Sequence, residues 1–318
     1  MFITAFKTTG LAICEIFILG LLGYLLLKRK MLSAEGLNSI SKIVMDVTLP
    51  LFIFSQFVKQ FSFAQYPNWW VLPFFSIVLT AMGFAVGNFF TCSLKSTDEK
   101  MQFLSLIGFQ NSGYLPLPLV AALLPAEEAS RMYIYIFLFL VGFNLLIWSI
   151  GVHMLAYHKG KKLELASFFS APVVATLAGL LFVLFRWQGS IPGFILRPLK
   201  ITGDCTLPLA IFVVGASLAQ ISFKKNLDMR SISLALLAKL IILPLVVLII
   251  LYYARLPHLI GLLLMIQASV PPATSLSVIL SHYKKQDYIV NQSIFLGHIV
   301  GIVTIPVFLS LFYYLVKP

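Results

Sequence analysis

The chain has 318 residues; 60% are hydrophobic, only 11% are charged, and the mean hydropathy is +0.97. A soluble domain carries about 25% charged residues, which argues against an ordinary cytosolic enzyme. Lys and Arg outnumber Asp and Glu by 12; in so apolar a chain that excess reads as basic loops beside a membrane, and not as a nucleic-acid footprint.

A helix needs about 20 apolar residues to cross a bilayer. Ten such runs follow one another, at 5–27, 37–58, 69–91, 101–124, 131–157, 171–187, 195–219, 230–254, 258–281 and 288–315. The links are too short for a soluble domain. The first run is too long for a signal-peptide core and ends in Lys28-Arg29-Lys30 without a small-residue cleavage site. Loops after odd-numbered runs hold 13 basic residues: Lys28, Arg29, Lys30, Lys95, Lys100, Lys159, Lys161, Lys162, Lys224, Lys225, Arg230, Lys284 and Lys285. The even loops and the two tails hold 8. This bias predicts a multi-pass inner-membrane protein with odd loops in the cytoplasm and both termini outside. Trp69, Trp70, Trp187, Tyr313 and Tyr314 fall at run ends, where interfacial aromatics belong. Cys14, Cys92 and Cys205 are odd in number and unclustered, so neither a disulfide framework nor a metal site is implied.

The second and seventh runs carry an internal repeat. Lys42-Ile-Val-Met-Asp46-Val-Thr-Leu-Pro50-Leu-Phe-Ile-Phe54 matches Lys200-Ile-Thr-Gly-Asp204-Cys-Thr-Leu-Pro208-Leu-Ala-Ile-Phe212 at nine of 13 positions, with an offset of 158. Half the chain is 159 residues. Each half, 1–160 and 161–318, therefore holds five runs. An odd number makes the second half enter from the opposite side, so the repeat is expected to be inverted, a hallmark of secondary transporters.

The fourth and ninth runs carry a second pair of related features. The fourth reads Gln110-Asn-Ser-Gly-Tyr-Leu-Pro116-Leu-Pro118, and the ninth reads Gln267-Ala-Ser-Val-Pro271-Pro272-Ala-Thr-Ser275. Both place helix breakers beside amides and hydroxyls at mid-membrane depth. Such backbone is tolerated only where protein or a water-filled cavity surrounds it. Paired broken helices point to a transport site; two ordinary proline kinks are the alternative.

At these residues the chain resembles the auxin efflux carrier family, which includes the plant PIN exporters and bacterial permeases. The resemblance rests on Ser105 through Pro118, on Lys239 five before Pro244, on Ile266-Gln267-Ala268 with Pro271, on Ile305-Pro306 with Phe312-Tyr313-Tyr314, and on Asp204 with Gly215. It implies an all-α integral membrane fold of ten helices. Helices one, two, six and seven would form a scaffold domain. Three to five and eight to ten would form a transport domain that moves as an elevator, with helices four and nine crossing. It also implies a homodimer that carries small organic anions such as indole-3-acetate, malate or malonate. Two positions depart from the family: Ala171-Pro172 stands where Asn-Pro is common, and run three has no acid to carry a proton.

Candidate site residues follow. Asn111 contacts a substrate carboxylate or caps the broken helix, or both. Ser112, Gly113 and Tyr114 adjoin it, and Gln267, Ser269 and Val270 are the counterparts. Pro116, Pro118, Pro271 and Pro272 set the crossover. Lys239, nine residues inside run eight, neutralises the anion, replaces a sodium ion, or serves structure through an ion pair or a bond to freed carbonyls. Asp46 and Asp204 follow lysines by four residues and so can pair with Lys42 and Lys200; self-pairing is the reading for Asp46, while Asp204 is a candidate for proton coupling. Pro50 and Pro208 are expected to break the scaffold helices. Asn144 and His298 are helix–helix bonds or site contacts. Glu15 has no functional reading. No cofactor is called for, and proton coupling or uniport fits better than sodium coupling because no acid-rich crossover is visible. A channel and an intramembrane enzyme are the other classes. Gly215-Ala-Ser217-Leu218 lacks the second glycine of a Gly-x-Ser-Gly nucleophile, and no paired carboxylates or His-Glu-x-x-His are present.

Overall fold

In a computed structural model, residues 2–94, 96–156, 169–221, 228–284, 287 and 289–316 are described. Lys95, Lys159, Lys161, Lys162, Lys224, Lys225, Lys285 and Lys317, used above for orientation, lie outside them. The described residues are helical throughout, with one isolated β-bridge and no strand.

Among the described residues seven helices are long and apolar enough to cross a membrane: α1 (Phe2–Lys28), α2 (Ala34–Gln60), α3 (Val71–Asn88), α6 (Ala126–Leu155), α8 (Gly193–Gln220), α9 (Met229–Ala254) and α12 (Val290–Leu315). The other described helices of eight or more residues are shorter. They are α4 (Thr97–Gly108), α5 (Pro116–Leu123), α7 (Ala171–Leu184), α10 (His258–Ser269) and α11 (Ser275–His282). The fourth and ninth apolar runs are thus each two half-helices joined by irregular backbone.

Local chemistry accounts for the helix starts. Ser33 accepts from the Gly36 amide, Ser96 from the Glu99 amide and Asp228 from the Ser231 amide, each satisfying an otherwise unpaired donor of the first turn. Pro116 and Pro172 occupy first-turn positions, where a missing amide costs nothing.

Among the described residues three helices widen into π turns: α2 at Val44–Thr48, α6 at Ile147–Gly151 and α9 at Ala238–Ile242. In α8 the corresponding irregularity is a turn at Cys205, between Asp204 and Thr206. Pro50 and Pro208 follow these irregularities by a few residues, because a proline ring clashes with the carbonyl four residues before it. Neither proline ends its helix.

Small residues let the helices pack closely. α1 packs on α8, where a Cβ on Gly215 would meet the Gly20 carbonyl oxygen at 1.8 Å. α7 packs on α2, where a Cβ on Gly179 would meet Phe57 Cβ at 2.7 Å. α8 crosses α2 at Gly203, against the Phe52 backbone. Lipid tails are as apolar as these helices, so close van der Waals contact replaces the hydrophobic effect as the cement.

Candidate functional site at the helix crossover

The two broken segments meet. The Asn111 amide donates to the Pro271 carbonyl at 2.9 Å, and the Ala273 amide donates to the Phe109 carbonyl at 2.9 Å. Gln110 sits opposite Pro272 in an antiparallel bridge. Pro271 and Pro272 have no amide hydrogen to offer, which limits the pairing to this short ladder. Four half-helix ends converge here: the C-termini of α4 and α10, and the N-termini of α5 and α11.

Side chains brace the crossing. Gln267 Nε2 donates to the Ser112 carbonyl at 3.0 Å, tying the ninth run to the fourth. Lys239 is fully buried, and its Nζ donates to the Ala268 carbonyl at 3.3 Å, near the C-terminus of α10. A cation there faces the negative end of the half-helix. His298 Nδ1 lies 2.8 Å from the Ile294 carbonyl, and its Nε2 lies 3.5 Å from Asn111 Nδ2. Ser269 Oγ, Gln267 Oε1 and both amide atoms of Gln110 are buried without a hydrogen-bond partner among the described residues.

A cavity of about 90 Å³ opens on one side of the crossing. Gln110, Asn111, Ser112, Gly113 and Tyr114 line it from the fourth run, and Ala273, Thr274 and Ser275 from the ninth. α6 contributes Asn144 and Trp148, α2 contributes Met45 and Leu49, and α7 contributes Pro172. A second, larger cavity of about 240 Å³ lies between α1, α8 and α12, with Tyr114 and His298 in its wall. Tyr114 borders both cavities.

Residues 10–309 match the family model described as membrane transport protein. The chain belongs to this family. The resemblance drawn from sequence is shown at that level, and the molecule is a multi-pass membrane transporter. It is also similar to an uncharacterized transporter of Methanothermobacter thermautotrophicus, 22% identical over 297 residues that cover 92% of this chain and 95% of that one.

In the transporter, Asn111, Ser112, Gly113, Tyr114 and Asn144 share the smaller cavity. Val270, Ser269, Pro116, Pro118, Pro271 and Pro272 are buried and are not part of its lining. The acids depart from expectation. Lys200 Nζ pairs with Asp204 at 2.5 Å, whereas no Lys42–Asp46 pair forms within 4 Å. The π turn beginning at Val44 lies between Lys42 and Asp46, and its wider step takes them out of i,i+4 alignment. Asp46 and Asp204 both lie outside the cavity linings.

Sequence reasoning missed Met45, Leu49, Trp148 and Thr274 as lining residues. Met45 and Trp148 stand in π turns, which leave no readable period. Gln110 was visible within the polar cluster, adjacent to the residues singled out. Among the described residues no group of three or more His, Cys, Asp or Glu side chains is placed to hold a metal ion.

Proposed function

We propose that this chain is a secondary-active carrier of a small organic anion, working by alternating access about the crossover. The observation that carries the reading is the backbone bridge of Phe109–Asn111 to Pro271–Ala273, set between two pairs of half-helices and lining a cavity. Irregular backbone at membrane depth makes sense where it borders a site, and paired half-helices are the recurrent way transporters build one.

In this reading the chain crosses the inner membrane ten times in two inverted halves, 1–160 and 161–318, with both termini outside. Two contacts support the symmetry. Gly20 meets Gly215, and Phe57 meets Gly179; Gly179 stands 159 positions after Gly20, and Gly215 stands 158 after Phe57. The same kind of contact is thus made twice with the halves exchanged. α1, α2, α7 and α8 are the scaffold, and the remaining helices are the PIN-like transport domain that moves as an elevator. The scaffold of one copy pairs with that of a second.

The substrate carboxylate sits at Asn111, Ser112 and the α11 N-terminus, with Asn144 and Gly113 on the walls. Lys239 supplies positive potential from behind α10. The substrate class is an indole carboxylate or a dicarboxylate such as malate or malonate. The test uses purified protein in liposomes with a panel of organic acids, with and without sodium and across pH. Saturable uptake with counterflow is expected. Ohmic, non-saturating flux would overturn the carrier reading in favour of a channel.

A further inference from the structure

His298 and Asn111 hold each other in a defined hydrogen-bond sense. The Ile294 carbonyl, 2.8 Å from His298 Nδ1, can only accept. Nδ1 therefore carries a hydrogen. A neutral imidazole has one N–H, so Nε2 is then a bare acceptor. Asn111 must turn its amide nitrogen to Nε2, which is the arrangement found at 3.5 Å. The remaining branch of the amide is Oδ1, an acceptor. Asn111 also lines the crossover cavity. With a neutral His298, one of the two Nδ2 hydrogens is committed to Nε2 and the unengaged branch is Oδ1, an acceptor that opposes an anion at the side chain best placed to hold a carboxylate.

Adding one proton reverses this. Imidazolium donates from both nitrogens. Nδ1 keeps its bond to Ile294, and the new Nε2–H requires an acceptor. Rotation of the Asn111 amide by half a turn supplies Oδ1 to His298 and frees both hydrogens of Nδ2 for the cavity. No bond to carbon changes; one proton is taken from water onto Nε2.

We propose that His298 is a proton-binding positioning residue whose protonation turns the Asn111 amide from acceptor to donor, so that each anion bound at the crossover is accompanied by one proton. This rests on the anion-carrier reading above and adds its coupling device.

The surroundings of His298 leave the switch to this one group. It is 1% exposed. Tyr24 of α1 and Tyr114 of the fourth-run break border the same cavity as His298. Lys239 of α9 turns its ammonium to Ala268. Glu99 of α4 accepts from Ser231 near the start of α9, and His258 of α10 packs on Phe312 and Tyr313, toward the far end of α12. No carboxylate of the described residues stands within 4 Å of the imidazole. A charge on His298 thus has no carboxylate in direct contact among the described residues, and an anion beside Asn111 is the partner that balances it. Binding and protonation favour one another reciprocally.

The experiment uses the full-length protein in detergent with malate, malonate and indole-3-acetate as probes. Calorimetry in buffers of different ionisation enthalpy counts the protons taken up on binding. The wild type is expected to take up about one proton per anion, with affinity falling roughly tenfold per pH unit on the alkaline side. His298→Gln can donate or accept at any pH; it is expected to take up none and to show a flat pH profile while remaining monodisperse. Binding without proton uptake, or a His298→Gln protein that keeps the wild-type slope, overturns the switch and leaves the carrier reading standing. Failure of every probe to bind at any pH overturns the carrier reading instead. A ligand-free arm tests the hydrogen-bond sense by itself. In 15N-histidine-labelled protein, the signal missing from His298→Gln is expected to be the Nδ1–H tautomer at neutral pH, and an Nε2–H tautomer overturns the proposal whatever the anions do.

Discussion

Lys239 Nζ donates to the carbonyl oxygen of Ala268, one residue before the end of α10, and this is its one hydrogen bond among the described residues. The bond joins the π turn of α9 to the broken ninth run. It satisfies a carbonyl that the break has deprived of its helical partner. Lys239→Met keeps a similar volume and removes the donor. Loss of a buried hydrogen bond of this kind costs about 1–3 kcal/mol, so a lower unfolding temperature in detergent is expected together with a large loss of transport. Lys239→Arg, which keeps the charge, is expected to recover part of the activity. Full-rate uptake by Lys239→Ala would remove the residue from the mechanism.

The contact between α1 and α8 gives an asymmetric expectation. A Cβ on Gly215 would lie 1.8 Å from the Gly20 carbonyl oxygen, whereas a Cβ on Gly20 meets nothing closer than 3.7 Å. Backbone cannot move aside as a flexible side chain can. Gly215→Ala is therefore expected to cost at least the roughly 1–3 kcal/mol of an overpacked core, and Gly20→Ala to unfold near the wild-type temperature. Thermal unfolding of the two variants side by side tests the packing; equal stability would mean that these helices are not in the contact described.

Much of this fold was legible because the signals are periodic or paired. Ten runs read as helices by length, and among the described residues seven of them are single helices long and apolar enough to cross a membrane; the Lys42–Phe54 and Lys200–Phe212 match reports the sequence repeat without any structure. The breaks at Gln110–Pro118 and Gln267–Ser275 were visible because prolines and amides stand out against leucine and phenylalanine. What sequence did not reveal is the pairing of those breaks, since a bridge between Gln110 and Pro272 joins residues far apart in the chain. The three π turns were also hidden: one extra residue in a turn changes which face a side chain takes, yet leaves no mark in composition. That single shift explains both the inclusion of Met45 in the cavity and the failure of Lys42 to reach Asp46.

The Lys200–Asp204 pair forms where its counterpart does not, and it is a poor source of stability. Both side chains are about two-fifths exposed, 42% for Lys200 and 41% for Asp204. Partly exposed pairs at i,i+4 are worth at most about 1 kcal/mol. A double-mutant cycle with Lys200→Ala and Asp204→Ala is expected to return a coupling energy below that figure. The corresponding cycle at Lys42 and Asp46 is expected to return about zero. A strong coupling at Lys42 and Asp46 would show that the π turn does not separate them.

Gly113 separates the site from the scaffolding around it. It lies in the break between α4 and α5 and lines the crossover cavity. A Cβ there would meet only Leu140, at 3.7 Å or more, which is ordinary contact. Its φ is not in the left-handed region, so alanine adopts the same backbone without strain. Gly113→Ala is therefore expected to fold with a stability within about 0.5 kcal/mol of the wild type, as for a substitution away from special features. The added methyl still enters a cavity of only about 90 Å³ beside Asn111 and Ser112. Anion affinity is expected to fall severalfold, with the bulkier indole-3-acetate affected more than malonate. Binding and unfolding measured on the same preparation decide the matter, because a loss of stability in step with a loss of affinity would make Gly113 a packing residue, and unchanged affinity for both anions would place the substrate elsewhere.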